Sequence, residues 1–403
     1  MRRLRVVQIL NGLAINTRMG GAERFGVELA RHLDPDQIEV IVVGLWEWDA
    51  AAEQRWRCQL ADEGIRTVVG VPKDDRRPLA NFVQSLAHIR SQFTAPVDIL
   101  HSQCDFGDVA GLWLRPALGA RVLLRTAHNE LEWARRPLRR WILVDGLYPF
   151  VYDRELGVSQ RAVEVLDRRP LARLLRKRAV VLHNAVDTTR FAPLTTAEVA
   201  AGRRALGIDP QAPVIGSIGR LTPQKGYRDF LQAAAQVAAL HPKARFLLVG
   251  DGEENAALRQ SAAELQLADR VVFTGARDDV EQLLPLMDLF VSSSLWEGLP
   301  TVILEAMLAG VPVVATRVAG TVELIEDLAT GRLVPPSDPA ELSRVICQLL
   351  DSPPQAQEMA QNAQHFVRAH FDIAAVARRQ AQMYWQLVTS RADGLEKKLR
   401  KTE

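Results

Sequence analysis

Two doubly wound α/β domains are the architecture this sequence predicts, and three observations predict it. The chain has 403 residues, long for one domain and comfortable for two. Each half alternates short apolar runs with amphipathic segments, the pattern of parallel strands covered on both faces by helices. The runs VDTTRFAPLTT and IDPQAP bring prolines and polar residues together, which places the junction between Ala185 and Pro213. The expected domains are residues 1–190 and 191–372, facing each other across a cleft, with ligands at the carboxyl ends of the strands.

In the first half LRVVQIL, IEVIVVGL, IRTVVGV, VDILHS and ARVLLRTAH read as strands. Helices are expected near Ala22–Leu33, Ala51–Glu63, Leu79–Gln92 and Asp108–Leu118. The second half repeats the pattern with PVIGSIGRL, ARFLLVGDG, RVVFTGA, LFVSSSL, VPVVATRV and TGRLVPP. Its helices are expected at Tyr227–Leu240, Glu254–Leu265, Val280–Met287 and Thr301–Leu308. Beyond Asp338 the chain turns helical, and Ile373–Val388 carries Met383, Tyr384, Trp385 and Leu387 at helical spacing. This last helix is expected to cross back onto the first domain as part of a hinge, so residues 373–403 are assigned to that domain. The tail EKKLRKTE reads as a frayed, solvated end.

Hydrophobic content of 48% and charged content of 24% describe an ordinary globular protein. Cys58, Cys104 and Cys347 are far apart and form no metal-type spacing, so all three are expected as buried small hydrophobes in a reducing cytoplasm. MRRLRVVQIL runs quickly into polar NGLAINTR and reads as a first strand rather than a signal peptide. No window approaches the roughly 18 apolar residues of a membrane span, so any membrane association is peripheral, at the inner face of the cytoplasmic membrane. Net charge is +2, with 29 Lys+Arg against 23 Asp+Glu up to Arg190 and 21 against 25 beyond. Arg121–Arg178 holds 14 basic and 7 acidic side chains, interleaved with Trp133, Trp141, Tyr148, Phe150 and Tyr152. Such a stretch suits an anionic membrane surface or an anionic acceptor, while an Arg-rich solvated helix face is the plainer account. No recognition motif for nucleic acid accompanies it.

The most informative stretch is SLWEGLPTVILEAMLAGVPVVATRVAG. Gly298, Leu299 and Pro300 form a turn that stops a strand, and a short apolar helix follows with Glu305 as its exception. On helical geometry Glu297 and Glu305 differ by a rise of about 12 Å and about 80° beyond two turns, so both carboxylates can look toward one cleft. That distance suits two hydroxyl-bearing parts of one long ligand, such as the sugar and the ribose of a sugar nucleotide. The plainer account makes Glu297 a helix N-terminal charge and Glu305 a solvated surface carboxylate.

Phosphate chemistry is suggested twice. Gly20 and Gly21 lie between the first strand and the first helix, where amide N–H groups and the helix dipole favour an anion. Arg220 and Lys225 flank the turn GRLTPQKG after the first strand of the second domain. There a guanidinium fork and an ammonium point charge would neutralise a diphosphate. Neither loop is a dinucleotide-binding glycine pattern or a Walker A loop. Gly250 ends the next strand, where a ligand or a neighbouring backbone can come close. His128 closes a strand of the first domain and can donate to a sugar hydroxyl or a phosphate.

The motifs HNAVDTTRF, GRLTPQKG, LLVGDGE, VVFTGA and SLWEGLPTVILEAMLAGVPVVAT, in this order, resemble the retaining nucleotide-sugar glycosyltransferases of family 4, which have the two-Rossmann GT-B fold. The resemblance covers essentially the whole chain and is strongest from His183 to Ser337. It implies that Gly20 and Gly21 contact the donor phosphates and that Arg220 and Lys225 hold the diphosphate. Glu297 would bind hydroxyls of the donor sugar, Glu305 the ribose, and His128 would lie near the transferred sugar. Gly250, Gly298, Leu299 and Pro300 would complete the substrate-binding set.

The resemblance further implies a hexosyltransferase with no cofactor, acting on a nucleotide-diphosphate sugar and a glycan or lipid-linked acceptor in cell-surface polysaccharide or lipopolysaccharide synthesis. A UDP-sugar is the first expectation for the donor and GDP-mannose the second. No metal site is assigned, because no Asp-x-Asp pair sits at a strand end. Two alternatives share the fold, a nucleotide-sugar 2-epimerase and a non-catalytic binding subunit. Similarly, NGLAINTRM before Gly20 departs from the family's compact loop.

Overall fold

A computed structural model describes residues 2–15, 20–129, 132–133 and 136–399, with side chains up to Arg391. The chain divides into two compact units, Met1–Asn184 with Ile373–Glu403, and Ala185–Asp372. Arg18 and Met19, part of the first glycine loop, lie outside the described residues.

The first unit is built on strands β1 Leu4–Leu10, β2 Ile38–Gly44, β3 Arg66–Val69, β4 Ile99–Ser102, β5 Val122–Ala127, β6 Arg154–Gly157 and β7 Val180–Val181. Among the described residues they form a seven-stranded sheet in the order β3-β2-β1-β4-β5-β6-β7. The strands are apolar on both faces because helices cover both, and β1 pairs with β2 in parallel along its whole length. The second unit carries β8 Val214–Ile218, β9 Arg245–Val249, β10 Val271–Gly275, β11 Leu289–Ser292, β12 Val313–Thr316 and β13 Arg332–Val334. Its order, β10-β9-β8-β11-β12-β13, repeats the first. In each sheet the order reverses beside the first strand, between β1 and β4 and between β8 and β11. Such switch points open the crevice in which doubly wound sheets bind ligands.

The helices differ from expectation where local chemistry decides. Asp105–Ala117 starts a turn earlier than Asp108, with the Gly107 N–H donating to Cys104 Sγ at 3.3 Å. The segment expected as a helix over Val280–Met287 is α-helical only to Leu283 and tightens into a 3₁₀ turn at Leu284–Leu286, where Pro285 lacks an N–H. Ile373–Leu399 is a 27-residue helix, longer than the periodic stretch. It packs on the first unit, where the Tyr384 hydroxyl meets His101 Nδ1 at 2.7 Å and Arg391 pairs with Asp153. The cysteine expectation is corrected, since Cys58 is exposed and Cys104 half-buried, leaving only Cys347 buried.

Candidate active site

In the second unit the loop after β8 is fastened to the loop after β11. Gly226 has φ +61, and a Cβ there would lie 2.1 Å from the Ser293 carbonyl oxygen, so only glycine allows the approach. The Ser293 hydroxyl donates to the Lys225 carbonyl at 2.9 Å, and the Leu295 N–H donates to the Gln224 carbonyl at 2.8 Å. These contacts bring Lys225 Nζ to 2.5 Å from Glu297 Oε1, which also accepts from the Ser294 hydroxyl at 2.7 Å. Gln224 Nε2 donates to the Trp296 carbonyl at 3.0 Å and sits 3.5 Å from Glu297 Oε2. One carboxylate oxygen is therefore held by two donors, while the other has only a long contact.

The helical relation expected between the two glutamates is corrected. Glu297 precedes the helix Thr301–Leu308 in irregular backbone, and only Glu305 is helical. The plainer account fails as well, because the two residues are 7% and 5% exposed, neither a helix-end nor a solvated surface charge. Gly298, Leu299 and Pro300 are buried between them. Arg220 is exposed, and no carboxylate among the described residues pairs with it. Lys225 is committed to Glu297, yet an ammonium has three donors and keeps others for a phosphate. Gly250 serves backbone packing: its N–H donates to the Gly275 carbonyl at 2.9 Å, and a Cβ would lie 1.9 Å from the Gly219 carbonyl oxygen.

In the first unit Gly20 caps the helix Gly21–His32, and its N–H donates to the Glu23 carboxylate at 3.1 Å. Asn11 Nδ2 donates to the other Glu23 oxygen at 3.1 Å. The Gly20 amide thus already serves an anion, whereas Gly21 is exposed at the helix start. His128 directly follows β5, with its Nε2 2.9 Å from Gln103 Oε1. Gln103 Nε2 lies 3.4 Å from His101 Nε2, which also takes Thr126 Oγ1 at 2.7 Å. With the amide so oriented, Gln103 accepts from His128, fixing the proton on Nε2. His128 Nδ1, buried and without a partner among the described residues, is then a bare acceptor for a ligand hydroxyl. Burial lowers the His128 pKa to about 4 and that of His101 to about 3, so both are neutral at pH 7.

In wild type His128 imposes no loss of kcat between pH 8 and pH 5. Gln103→Glu places a carboxylate against Nε2 and raises the imidazole pKa by roughly 1 to 3 units. The variant should then lose activity on the acid side with a midpoint of about 5 to 7. Identical pH–rate profiles for wild type and variant would show that Gln103 does not set the state of His128.

Neither Gln103 nor Ser294 was picked out from sequence. The signals were present, as a polar His-Ser-Gln run ending an apolar strand and as the serine three residues before Glu297. A further cluster surrounds Arg125, which is 0% exposed. It pairs with Asp108 at 2.9 Å, Glu155 at 2.8 Å and Glu132, and Arg169 also pairs with Glu155. Among the described residues Asp105, Asp108 and Glu132 are close enough together to hold a cation, but the Arg125 guanidinium already supplies the positive charge there. Burial, only partly offset by Arg125, raises the Asp108 pKa to about 7.

Comparison with known proteins agrees with this fold. Residues 199–366 match the family described as glycosyl transferases group 1, and residues 19–190 match glycosyltransferase family 4. The chain belongs to the GT-B glycosyltransferases of group 1 and family 4. It is 30% identical over 307 residues to a GDP-mannose-dependent monoacylated alpha-(1-6)-phosphatidylinositol monomannoside mannosyltransferase of Corynebacterium glutamicum, covering 71% of this chain and 74% of that protein. It is 34% identical over 202 residues to a 2-deoxystreptamine glucosyltransferase of Streptomyces kanamyceticus, covering 49% of this chain but 48% of that relative. HepE of Anabaena, solved in complex with UDP-glucose, shares the fold with a TM-score of 0.80 at 24% identity, over 95% of this chain and 100% of that one.

Proposed function

We propose that this protein transfers a hexosyl group, with retention of anomeric configuration, from a nucleotide-diphosphate sugar to a glycan or lipid-linked acceptor in cell-surface polysaccharide or lipopolysaccharide synthesis. The observation that carries the reading is the Glu297–Lys225–Ser294 cluster beside the unpaired Arg220, at the switch point of the second sheet. Arg220 and Lys225 stabilise the charge that develops on the departing diphosphate without a metal bridge, and each such donor contributes on the order of 3 kcal/mol in the transition state. Glu297 orients hydroxyls of the donor sugar, Glu305 holds the ribose, and His128 Nδ1 accepts from a hydroxyl of the transferred sugar. The C1–O bond to the diphosphate breaks as the acceptor oxygen bonds C1 on the same face, and the acceptor proton passes to the leaving phosphate. No side chain is needed as general base.

A UDP-sugar is the first candidate donor and GDP-mannose the second, since similar proteins are described with UDP-glucose and as GDP-mannose-dependent. No helix among the described residues is long and apolar enough to cross a membrane, and the proposed site of action is the cytoplasmic face of the membrane. The test is a thermal-shift screen without added metal against UDP, GDP, ADP and their sugar conjugates. The cognate donor at 100 times its Kd should add about 2.7 kcal/mol of stability. Silence from every nucleotide would overturn the reading.

A further inference from the structure

Between β5 and β6 the chain passes through Pro137–Arg140, a π-helix over Trp141–Leu147 and the short helix Tyr148–Val151. Val144, Tyr148 and Pro149 are buried. Leu138, Trp141, Ile142 and Phe150 are 67%, 68%, 50% and 57% exposed. Leu138, Trp141 and Ile142 are three and four residues apart and share one helix face. The π-helix turns less per residue than an α-helix, which carries Phe150, two turns on, back toward the side of Trp141. A surface helix ordinarily turns charge, not Trp and Phe, to water. The neighbouring helix Pro170–Leu174 is held against this segment by Arg169, which donates to the Val144 carbonyl at 2.6 Å. It adds exposed Leu174 and Arg173.

The charge around these apolar residues is mostly positive. Arg136 and Arg139 are exposed, Arg140 is half-buried, and Asp145, also half-buried, is the one acidic residue of Pro137–Val151. Exposed Trp, Phe and Leu ringed by arginine match the boundary between headgroups and acyl chains of an anionic bilayer. A second copy of the same surface would bring arginine against arginine, so the charge argues for lipid.

We propose that this face docks on an anionic lipid bilayer, with Leu138, Trp141, Ile142 and Phe150 entering the interface and Arg136, Arg139 and Arg173 pairing with headgroups. The segment leaves the sheet just after His128, at the carboxyl end of β5. Taken with the proposed function, on which this consequence rests, it makes the acceptor lipid-linked rather than a free, water-soluble molecule.

The experiment is flotation of the full chain with phosphatidylcholine vesicles, with and without phosphatidylglycerol, at low and high salt. Wild type should co-float with the anionic vesicles at low salt and not with phosphatidylcholine alone. Trp141→Ser with Phe150→Ser should weaken binding by on the order of tenfold or more. Each of Arg139→Glu and Arg173→Glu should cost at least about fivefold, the equivalent of about 1 kcal/mol per basic residue near the surface. The nucleotide-induced thermal shift should be unchanged in every variant, which shows that they are folded. Absence of wild-type binding at low salt, or variants that bind like wild type, would overturn the docking surface. So would sedimentation showing that Trp141→Ser turns a dimer into a monomer while flotation is unaffected. A protein that floats yet answers to no nucleotide would keep the surface and remove the enzymatic reading, so the two failures are distinguishable.

Discussion

Glu297→Gln is expected to lower kcat by about 100- to 1,000-fold while leaving the fold and the donor Kd close to wild type. Glutamine keeps the shape of the side chain, and its Oε1 still accepts from the Ser294 hydroxyl. What it removes is the negative charge that holds Lys225 Nζ at 2.5 Å and presents an anionic acceptor to the donor sugar. On the proposed mechanism both losses fall on the step in which charge separates between C1 and the diphosphate. Lys225 is anchored independently through its backbone carbonyl, which accepts from the Ser293 hydroxyl at 2.9 Å. The loop therefore stays in place and only the ammonium is released. Lys225→Met should also depress kcat, and the double variant should lose less than the product of the two single losses, because the pair acts as a unit. Single-turnover kinetics with calorimetric donor binding gives both quantities. Wild-type turnover in Glu297→Gln would remove this residue from the reaction.

Most of the strands were legible because parallel strands buried on both faces read as unbroken apolar runs, as in VVQIL and VIVVG. The placing of the two candidate-site loops was legible too, since both follow strands flanking a switch point. The geometry of the site was not. Lys225 and Glu297 are 72 residues apart, and nothing in either motif says that the two charges meet rather than hold separate parts of a ligand. The helical spacing of Glu297 and Glu305 misled because the Gly-Leu-Pro turn lies between them. The basic stretch was legible as composition only: Arg125 and Arg169 are buried in ion pairs, and Trp133, Tyr148 and Tyr152 are buried as well. The exposed portion, Trp141 with Phe150, depends on the rotation accumulated through the π-helix Trp141–Leu147 into the short helix that follows it, and a π-helix has no simple sequence period.

Arg125→Leu is expected to destabilise the first unit by about 3 to 5 kcal/mol, the usual cost of removing one partner from a buried ion pair. The arginine sits mid-strand in VLLRTA, where a leucine would suit the apolar run, so the penalty comes from what it leaves behind. Asp108, Glu132 and Glu155 would share a buried site with only Arg169, which pairs with Glu155. The Tyr148 and Tyr152 rings, 4.7 and 5.8 Å from the guanidinium carbon, would lose their cation. Tryptophan fluorescence is a suitable probe, because of the 8 tryptophans only Trp296 belongs to the second unit. The pH dependence separates charge from packing. Without Arg125 the pKa of Asp108, already raised by burial, rises further and Glu155 loses one of the two arginines that lower its pKa, so the folded variant binds more protons than folded wild type and regains stability relative to it as pH falls. Urea midpoints for variant and wild type should converge between pH 8 and pH 5. A gap that stays constant over that range would mean that the loss is a cavity or a misfit, and that the carboxylates around Arg125 do not depend on its charge.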